Sequence, residues 1–347
     1  MKKNNKSTTK KISRLLLTLF LLIVAIGLSV YLFNKNSNKS NDNKIVKTEE
    51  KQNIQLNQPN ADWKAPDEST IPAGEPGNEI RYGKELIAHT SVYLGPKEKV
   101  ATMSNGMNCQ NCHNEAGTKP YGYNFSAVAS SYPQFKKRSE SWVSITQRIN
   151  SCFSRSLNGQ SLDTASKEMK AMIAYLKWIG NKVPKGVTPV NASVVKLPYL
   201  SRAADPIKGK VVYVTCQVCH GKDGQGQLNE QATEYIFPPL WGKHSYNDDA
   251  GLYRLANFAG FVKDNMPFGT NYKHPFLTDE QAWDVAAFVN SQSRSHKDQS
   301  KDFPELSDKP FDSPFGPYAD NFSEKEHKYG PYKPILLAKN KVADKNK

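Results

Sequence analysis

The chain has 347 residues, 38% of them hydrophobic, and a formal net charge of +14; at roughly 150 residues per domain, two domains are expected. The charge is unevenly placed: residues 1–60 hold 11 Lys and Arg against 3 Asp and Glu, residues 291–347 hold 11 against 9, and only +4 is left for residues 61–290. An excess confined to the first stretch gives the folded part no basic face, which excludes nucleic acid as a partner.

Residues 15–33 are an uncharged apolar run of 19 residues behind Lys2, Lys3, Lys6, Lys10, Lys11 and Arg14. That length crosses a bilayer as a helix with its basic flank on the cytoplasmic side, so residues 1–33 read as flank and membrane anchor. The other reading is a cleaved signal peptide, since Ala25-Ile26-Gly27 offers small residues for cleavage; the apolar core of such peptides usually stops after about 7–15 residues. Either way the rest is exported, to the periplasmic side of a bacterial cytoplasmic membrane or as a soluble periplasmic protein. Residues 34–62, rich in Asn with five lysines, read as a disordered polar spacer.

A first folded unit is expected over residues 63–190. It opens with an extended arm punctuated by Pro66, Pro72, Gly74, Pro76 and Gly77, followed by a helix over 81–94. It closes with a helix from Glu168 to Ile179. A second unit, over 191–290, begins with Asp205-Pro206, an Asp cap with proline at the first helical position, and that helix runs into Cys216. It closes with a helix capped by Thr278 and apolar at 282, 285, 286 and 289. Residues 291–347 alternate prolines with Phe303, Phe311, Phe315, Tyr318, Phe322, Tyr329 and Tyr332 without periodicity, the pattern of a strap lying across folded units. Its last dozen residues read as disordered.

Four of the five cysteines fall in Cys109-Gln110-Asn111-Cys112-His113 and Cys216-Gln217-Val218-Cys219-His220. Each is a CxxCH site: the thiols form thioethers to a haem c and the histidine takes an axial position of the iron. Zinc and disulfides also use CxxC, but two motifs behind an export segment, each with its histidine, point to two covalently attached haem c groups. The fold class is therefore all-α: two cytochrome c-like domains with extended arms and a Pro/aromatic-rich C-terminal strap.

The sixth ligand decides what each iron does. In the second unit Met266, followed by Pro267 and lying 46 residues after His220, is the expected ligand, with His244 and His274 as competitors. The first unit has no Met-Pro segment, and Met169 and Met172 sit in its closing helix. Laying Ile173-Ala174-Tyr175-Leu176 on Ala286-Ala287-Phe288-Val289 superposes the closing helices. Met266 then lies 21 residues before Ala287, and Cys152 lies 22 before Ala174. The fifth cysteine occupies the sixth-ligand slot. A thiolate there lowers the potential of the first haem, a thioether raises that of the second, and electrons run from first to second.

Arg138, Arg148, Arg155, Ser151, Ser154 and Ser156 surround Cys152 in sequence. If residues 142–156 are mainly helical, with Trp142, Ile145 and Ile149 inward, Arg148, Cys152 and Ser156 share a stripe at spacing four. Guanidinium and hydroxyl groups beside a soft sulfur suit a small sulfur oxyanion. Arg138 would be about 21 Å away along a straight helix, so only a turn near Ser139 brings it back.

The two CxxCH sites, the lone cysteine in Arg-Ile-Asn-Ser-Cys-Phe-Ser-Arg-Ser-Leu-Asn-Gly, and Tyr329-Gly330-Pro331-Tyr332 resemble the dihaem thiosulfate dehydrogenases over roughly residues 63–335. The resemblance implies coupling of two thiosulfates to tetrathionate, or the reverse reduction. It also implies His/Cys ligation at the first haem and a substrate site matching Arg138, Arg148 and Ser156, with Cys152 taking up a thiosulfate sulfur. Electrons would leave to a periplasmic or membrane redox partner such as another cytochrome c. In some relatives a lysine beside the second-haem methionine ligates iron; here Asn265 stands there, which removes that ligand switch. Rival functions are a non-catalytic dihaem electron carrier, a dihaem peroxidase, and a subunit conjugating thiosulfate to a carrier protein.

Overall fold

The computed structural model describes residues 62–97 and 100–345. The anchor and spacer expected over 1–33 and 34–62 lie, but for residue 62, outside the described residues. Among those described, no helix is long and apolar enough to cross a membrane.

The fold is all-α, built on two similar helix pairs. In the first, α1 (Glu75–Ala88) packs on the closing helix, here α3 (Lys167–Ile179). Between them in sequence lie a short hairpin, β1 (Gln134–Lys136) with β2 (Ser141–Val143), and α2 (Ile145–Arg155). The second pair is α4 (Pro206–Tyr213) on α6 (Asp279–Ser291), with a hairpin of β3 (Gln227–Leu228) and β4 (Tyr235–Phe237), then α5 (Leu255–Asn265), between them. The tail adds α7 (Glu324–Tyr329) and α8 (Tyr332–Lys345).

Each pair crosses at a glycine. A Cβ on Gly83 would lie 2.0 Å from the Ala171 carbonyl oxygen and 2.9 Å from Tyr175 Cβ, while one on Gly209 would lie 1.8 Å from the Asp284 oxygen and 2.9 Å from Phe288 Cβ. Aligning Tyr175 with Phe288, as the sequence comparison does, also aligns Ala171 with Asp284. Both crossings therefore use the same register, and only a residue without a side chain permits so close an approach. Around the first lie Leu86, Met169, Met172, Tyr175 and Ile179; around the second, Tyr213, Leu255, Trp283, Ala286 and Val289, all buried.

Hydrogen bonds tie the two halves: Ser91 Oγ donates to the Thr233 carbonyl (2.6 Å), Asn105 Nδ2 to that of Ser245 (2.9 Å) and Lys119 Nζ to that of Thr270 (3.1 Å). The tail crosses both halves. Phe303 N–H donates to the Arg138 carbonyl at 2.8 Å, Lys137 pairs with Asp308, and Asp312 accepts from Arg254 Nε at 2.8 Å.

Three expectations are corrected. The first helix is not 81–94: it begins at Glu75, because Pro76 pre-sets the first helical turn, and breaks at His89 before a short helix over Thr90–Leu94. Trp142 is not inward; it sits in β2, 68% exposed, and the helix waits for the Ser144 cap. The last dozen residues are not structureless, since α8 runs to Lys345, started by Tyr332 and Ile335, which are buried in the second core.

Candidate active site

The two attachment motifs present their histidines alike. After the Cys109–Asn111 turn, His113 Nδ1 faces the Tyr123 carbonyl at 2.5 Å; His220 Nδ1 faces that of Pro238 at 2.8 Å. A carbonyl can only accept, so each Nδ1 carries the proton and Nε2 keeps the lone pair that a metal needs. Burial favours the neutral ring, pushing His113 down to about 4, with Arg148 adding to the effect, and lowering His220. Burial also pushes Cys109 and Cys112 up to about 12, and the charge of Cys152 contributes to both. Among the described residues no three His, Cys, Asp or Glu side chains gather as a metal group. A porphyrin brings four of its iron's ligands itself and needs only one or two from the chain, so these residues fit haem c at both motifs. Met266 ends α5, its N–H bonded to Val262 O at 3.0 Å, and is half-buried against the second core.

Helix α2 carries Cys152. The Ser144 hydroxyl accepts from Gln147 N–H while the Gln147 side chain accepts from Ser144 N–H, a reciprocal cap that fixes where the helix starts. Ile145, Ile149 and buried Phe153 hold it on the first core. Cys152 is half-buried. Its sulfur lies within electrostatic reach of Cys109 and Cys112 and of Arg148 and Arg155. The fifth cysteine and the first CxxCH motif thus share one space.

Arg148, one turn before Cys152, makes neither an ion pair nor a side-chain hydrogen bond among the described residues. The Cys152 sulfur is the main cause raising its pKa, with burial opposing. Ser156 closes the helix one turn later, its N–H on the Cys152 carbonyl at 2.8 Å and its hydroxyl without a hydrogen bond among the described residues. The expected stripe of Arg148, Cys152 and Ser156 is therefore present along α2.

Arg138 returns to this region because the β1–β2 turn reverses the chain at 137–140, but it arrives paired. It contacts Asp249, lies 3.1 Å from Asp302, and its guanidinium sits 5.4 Å from the Phe303 ring centre. The other Asp249 oxygen is 3.9 Å from Arg155 Nε, and that nitrogen also donates to the Ser151 carbonyl at 3.1 Å. Burial raises Asp302 and lowers Arg155. Asp249 and Asp302 come from the second half and the strap; neither has a local sequence signal, and only the tertiary fold brings them to α2. Asn265 is buried and donates to the Tyr121 carbonyl at 3.0 Å, joining the two halves.

Two family models match: the SoxA/TsdA cytochrome c domain over residues 99–184 and cytochrome c over residues 207–293. A thiosulfate dehydrogenase of Psychrobacter arcticus is 37% identical over 242 residues, 70% of this chain and 71% of the relative. One of Allochromatium vinosum is 36% identical over 234 residues, 66% of this chain and 83% of the relative. Among solved structures, the thiosulfate dehydrogenase TsdBA of Marichromatium purpuratum is similar with a TM-score of 0.60 and 29% identity, covering 66% of this chain and 49% of the longer one. With two haem-attachment motifs on two matching helix pairs, and relatives above 30% identity along most of their length, the chain belongs to the thiosulfate dehydrogenase family of dihaem c-type cytochromes.

Proposed function

We propose that the chain oxidises two thiosulfates to tetrathionate at Cys152, with Arg148 and Ser156 receiving the anion and Arg138 completing the site from the hairpin. The observation that carries this reading is Arg148: a half-buried guanidinium with no carboxylate partner among the described residues, in electrostatic contact with a thiol that also acts on the first haem-attachment motif. A partly desolvated charge without a carboxylate counter-ion suits an anion, and a bound sulfur dianion supplies that partner.

A haem c would be held at the first motif by Cys109, Cys112 and His113 with Cys152 as a further ligand, and at the second by Cys216, Cys219 and His220 with Met266 as a further ligand; the two would supply one-electron acceptors of lower and higher potential respectively, enough for the two electrons of the coupling. The chain's own work is on sulfur. Free of the iron, the Cys152 thiolate bonds the sulfane sulfur of one thiosulfate, giving a cysteine S-thiosulfonate and two electrons, one for each of the two acceptors. The sulfane sulfur of a second thiosulfate then attacks that same sulfur, forming the central S–S bond of tetrathionate and returning Cys152 as thiolate. Arg148 offsets the negative charge that accumulates when two dianions meet, and Arg138 adds only what its pairs with Asp249 and Asp302 leave uncompensated. Run backwards, the same steps reduce tetrathionate.

The test is Cys152→Ala in the haem-loaded protein, assayed by thiosulfate-dependent ferricyanide reduction. Loss of roughly 10³-fold or more with both haems retained is expected, whereas normal turnover would remove Cys152 from the mechanism. An unaltered chain that reduces no ferricyanide with thiosulfate is a carrier instead. The two cores and the two matched segments support a division of the folded part near residue 190. The haem motifs and the apolar run at 15–33 support placing it outside the cytoplasmic membrane.

A further inference from the structure

The outward face of α4 is apolar where solvent would favour polar residues. Ile207, Val211, Val214 and Val218 are 80, 72, 60 and 79% exposed, at spacings of four, three and four that place them on one side of α4 and the turn after it. The opposite side carries Gly209 and Tyr213, buried against α6. The fold does not require this stripe. In α1, the positions two before and two after the crossing glycine are Arg81 and Glu85, both exposed, where α4 has Ile207 and Val211. The stripe ends inside the second haem motif, since Val218 lies between Cys216 and Cys219. There β3 extends it: Gln227 Nε2 donates to the Val218 carbonyl at 3.0 Å, beside Leu228, 46% exposed.

Four β-branched side chains in a row on the surface form a patch, and such patches mark contacts with other molecules. Residues 206–222 contain Lys208, Lys210 and Lys222, all exposed, and no carboxylate. Asp205 and Asp223 stand just beyond its two ends, so lysines line the strip itself and carboxylates only its ends; an apolar strip with a net positive flank fits a partner with a matching apolar spot and an acidic rim. Its position on the second attachment motif fits a partner that takes electrons.

We propose that this face is the docking surface for an acidic electron-acceptor protein. The stripe is about 16 Å long, the size of a small transient redox contact. The choice of an electron acceptor as occupant rests on the redox function proposed above.

The test uses the full haem-loaded chain carrying Ile207→Glu and Val211→Glu, substitutions on an exposed face outside the haem motif and far from Cys152 in sequence. The protein is reduced with dithionite, freed of excess reductant, and mixed in a stopped-flow instrument with an oxidised acidic mono-haem cytochrome c, a basic one, or ferricyanide. The acidic cytochrome is expected to be reduced faster than the basic one by the unaltered chain, and roughly tenfold slower by the variant, with ferricyanide unaffected. Three outcomes overturn the proposal: an unchanged rate with the acidic cytochrome, a preference for the basic one, or sedimentation showing that the substitutions convert a dimer into a monomer, which would make the occupant a second copy. Thiosulfate-dependent ferricyanide reduction is measured separately, so a failed docking surface and a failed thiosulfate reaction give different results.

Discussion

Cys152 is legible from counting, because the CxxCH motifs account for the other four thiols, and from the repeat, because it falls where the second unit has Met266. His113 and His220 follow from the same motifs. What those patterns cannot contain is Asp249, more than 90 residues from α2 in sequence, whose two oxygens divide between Arg138 and Arg155. The arginines around Cys152 therefore differ in a way composition hides: among the described residues Arg148 has no ion pair, and the other two are already paired. Arg148→Gln should lower kcat/KM for thiosulfate roughly 10- to 100-fold, the worth of a charged hydrogen bond of about 1.5–3 kcal/mol, with the haem spectra unchanged. Asp249→Asn should act in the opposite sense on binding. Removing one carboxylate charge from beside Arg155 and Arg138, the latter still 3.1 Å from Asp302, makes the site more attractive to dianions, so KM should fall about threefold to tenfold and tetrathionate inhibition should strengthen. A raised KM in steady-state assays would instead show that Asp249 serves to hold the arginines in place.

At the scale of elements, what the sequence discloses is local. The Asp205, Ser144 and Thr278 caps and the two closing helices are set within four residues of each boundary. The first helix start is hidden in the sequence because Pro76 and Gly77 look like loop punctuation, although proline is acceptable in a first turn and Gly77 has room for no side chain against the Pro72 carbonyl. Trp142 reads as core by residue type and is on the surface because the hairpin, not a helix, occupies its stretch. The crossing glycines were invisible without a partner helix. Their consequence is a sharp prediction: Gly209→Ala puts a methyl 1.8 Å from the Asp284 carbonyl oxygen, so α4 must move off α6. A loss of about 2–3 kcal/mol is expected from denaturant melts, and Gly83→Ala should cost a similar amount at the other crossing.

For the molecule as a whole, the strap is what an aperiodic sequence conceals most. Its aromatics suggested contact, but which surfaces it touches depends on both halves being folded. It is pinned at His296, whose Nδ1 lies 2.7 Å from Asp248, and at Lys297, whose N–H donates to the other Asp248 oxygen at 2.9 Å. Asp248 raises the His296 pKa. A histidine raised above its unfolded value of about 6.5 stabilises the fold fully below that pH and loses the contribution as pH rises through its folded value. Protection factors over residues 294–299, taken against the intrinsic exchange rate at each pH, should therefore fall between pH 6 and pH 9, and His296→Ala should flatten that dependence.

Beyond this pin the strap ends in α8, where Ile335 is fully buried among Tyr332, Trp283 and their neighbours in the second core. Ile335→Ala removes buried methyl groups from a site walled by aromatic rings that collapse poorly, so a loss of about 2–4 kcal/mol is expected. Where that loss appears tests how the halves cooperate. Asn265 on the Tyr121 carbonyl, Ser91 on that of Thr233, and Phe303 on that of Arg138 couple the second half and the strap to the first. If those bonds make one cooperative unit, slow-exchanging amides in α1 and α3 should lose protection together with those in α4 and α6, although Ile335 belongs to the second core. Protection that falls in α4 and α6 alone would mean that the halves unfold separately. The site at Cys152, which draws Asp249 from one half and Asp302 from the strap, would then be assembled by docking after each half has folded.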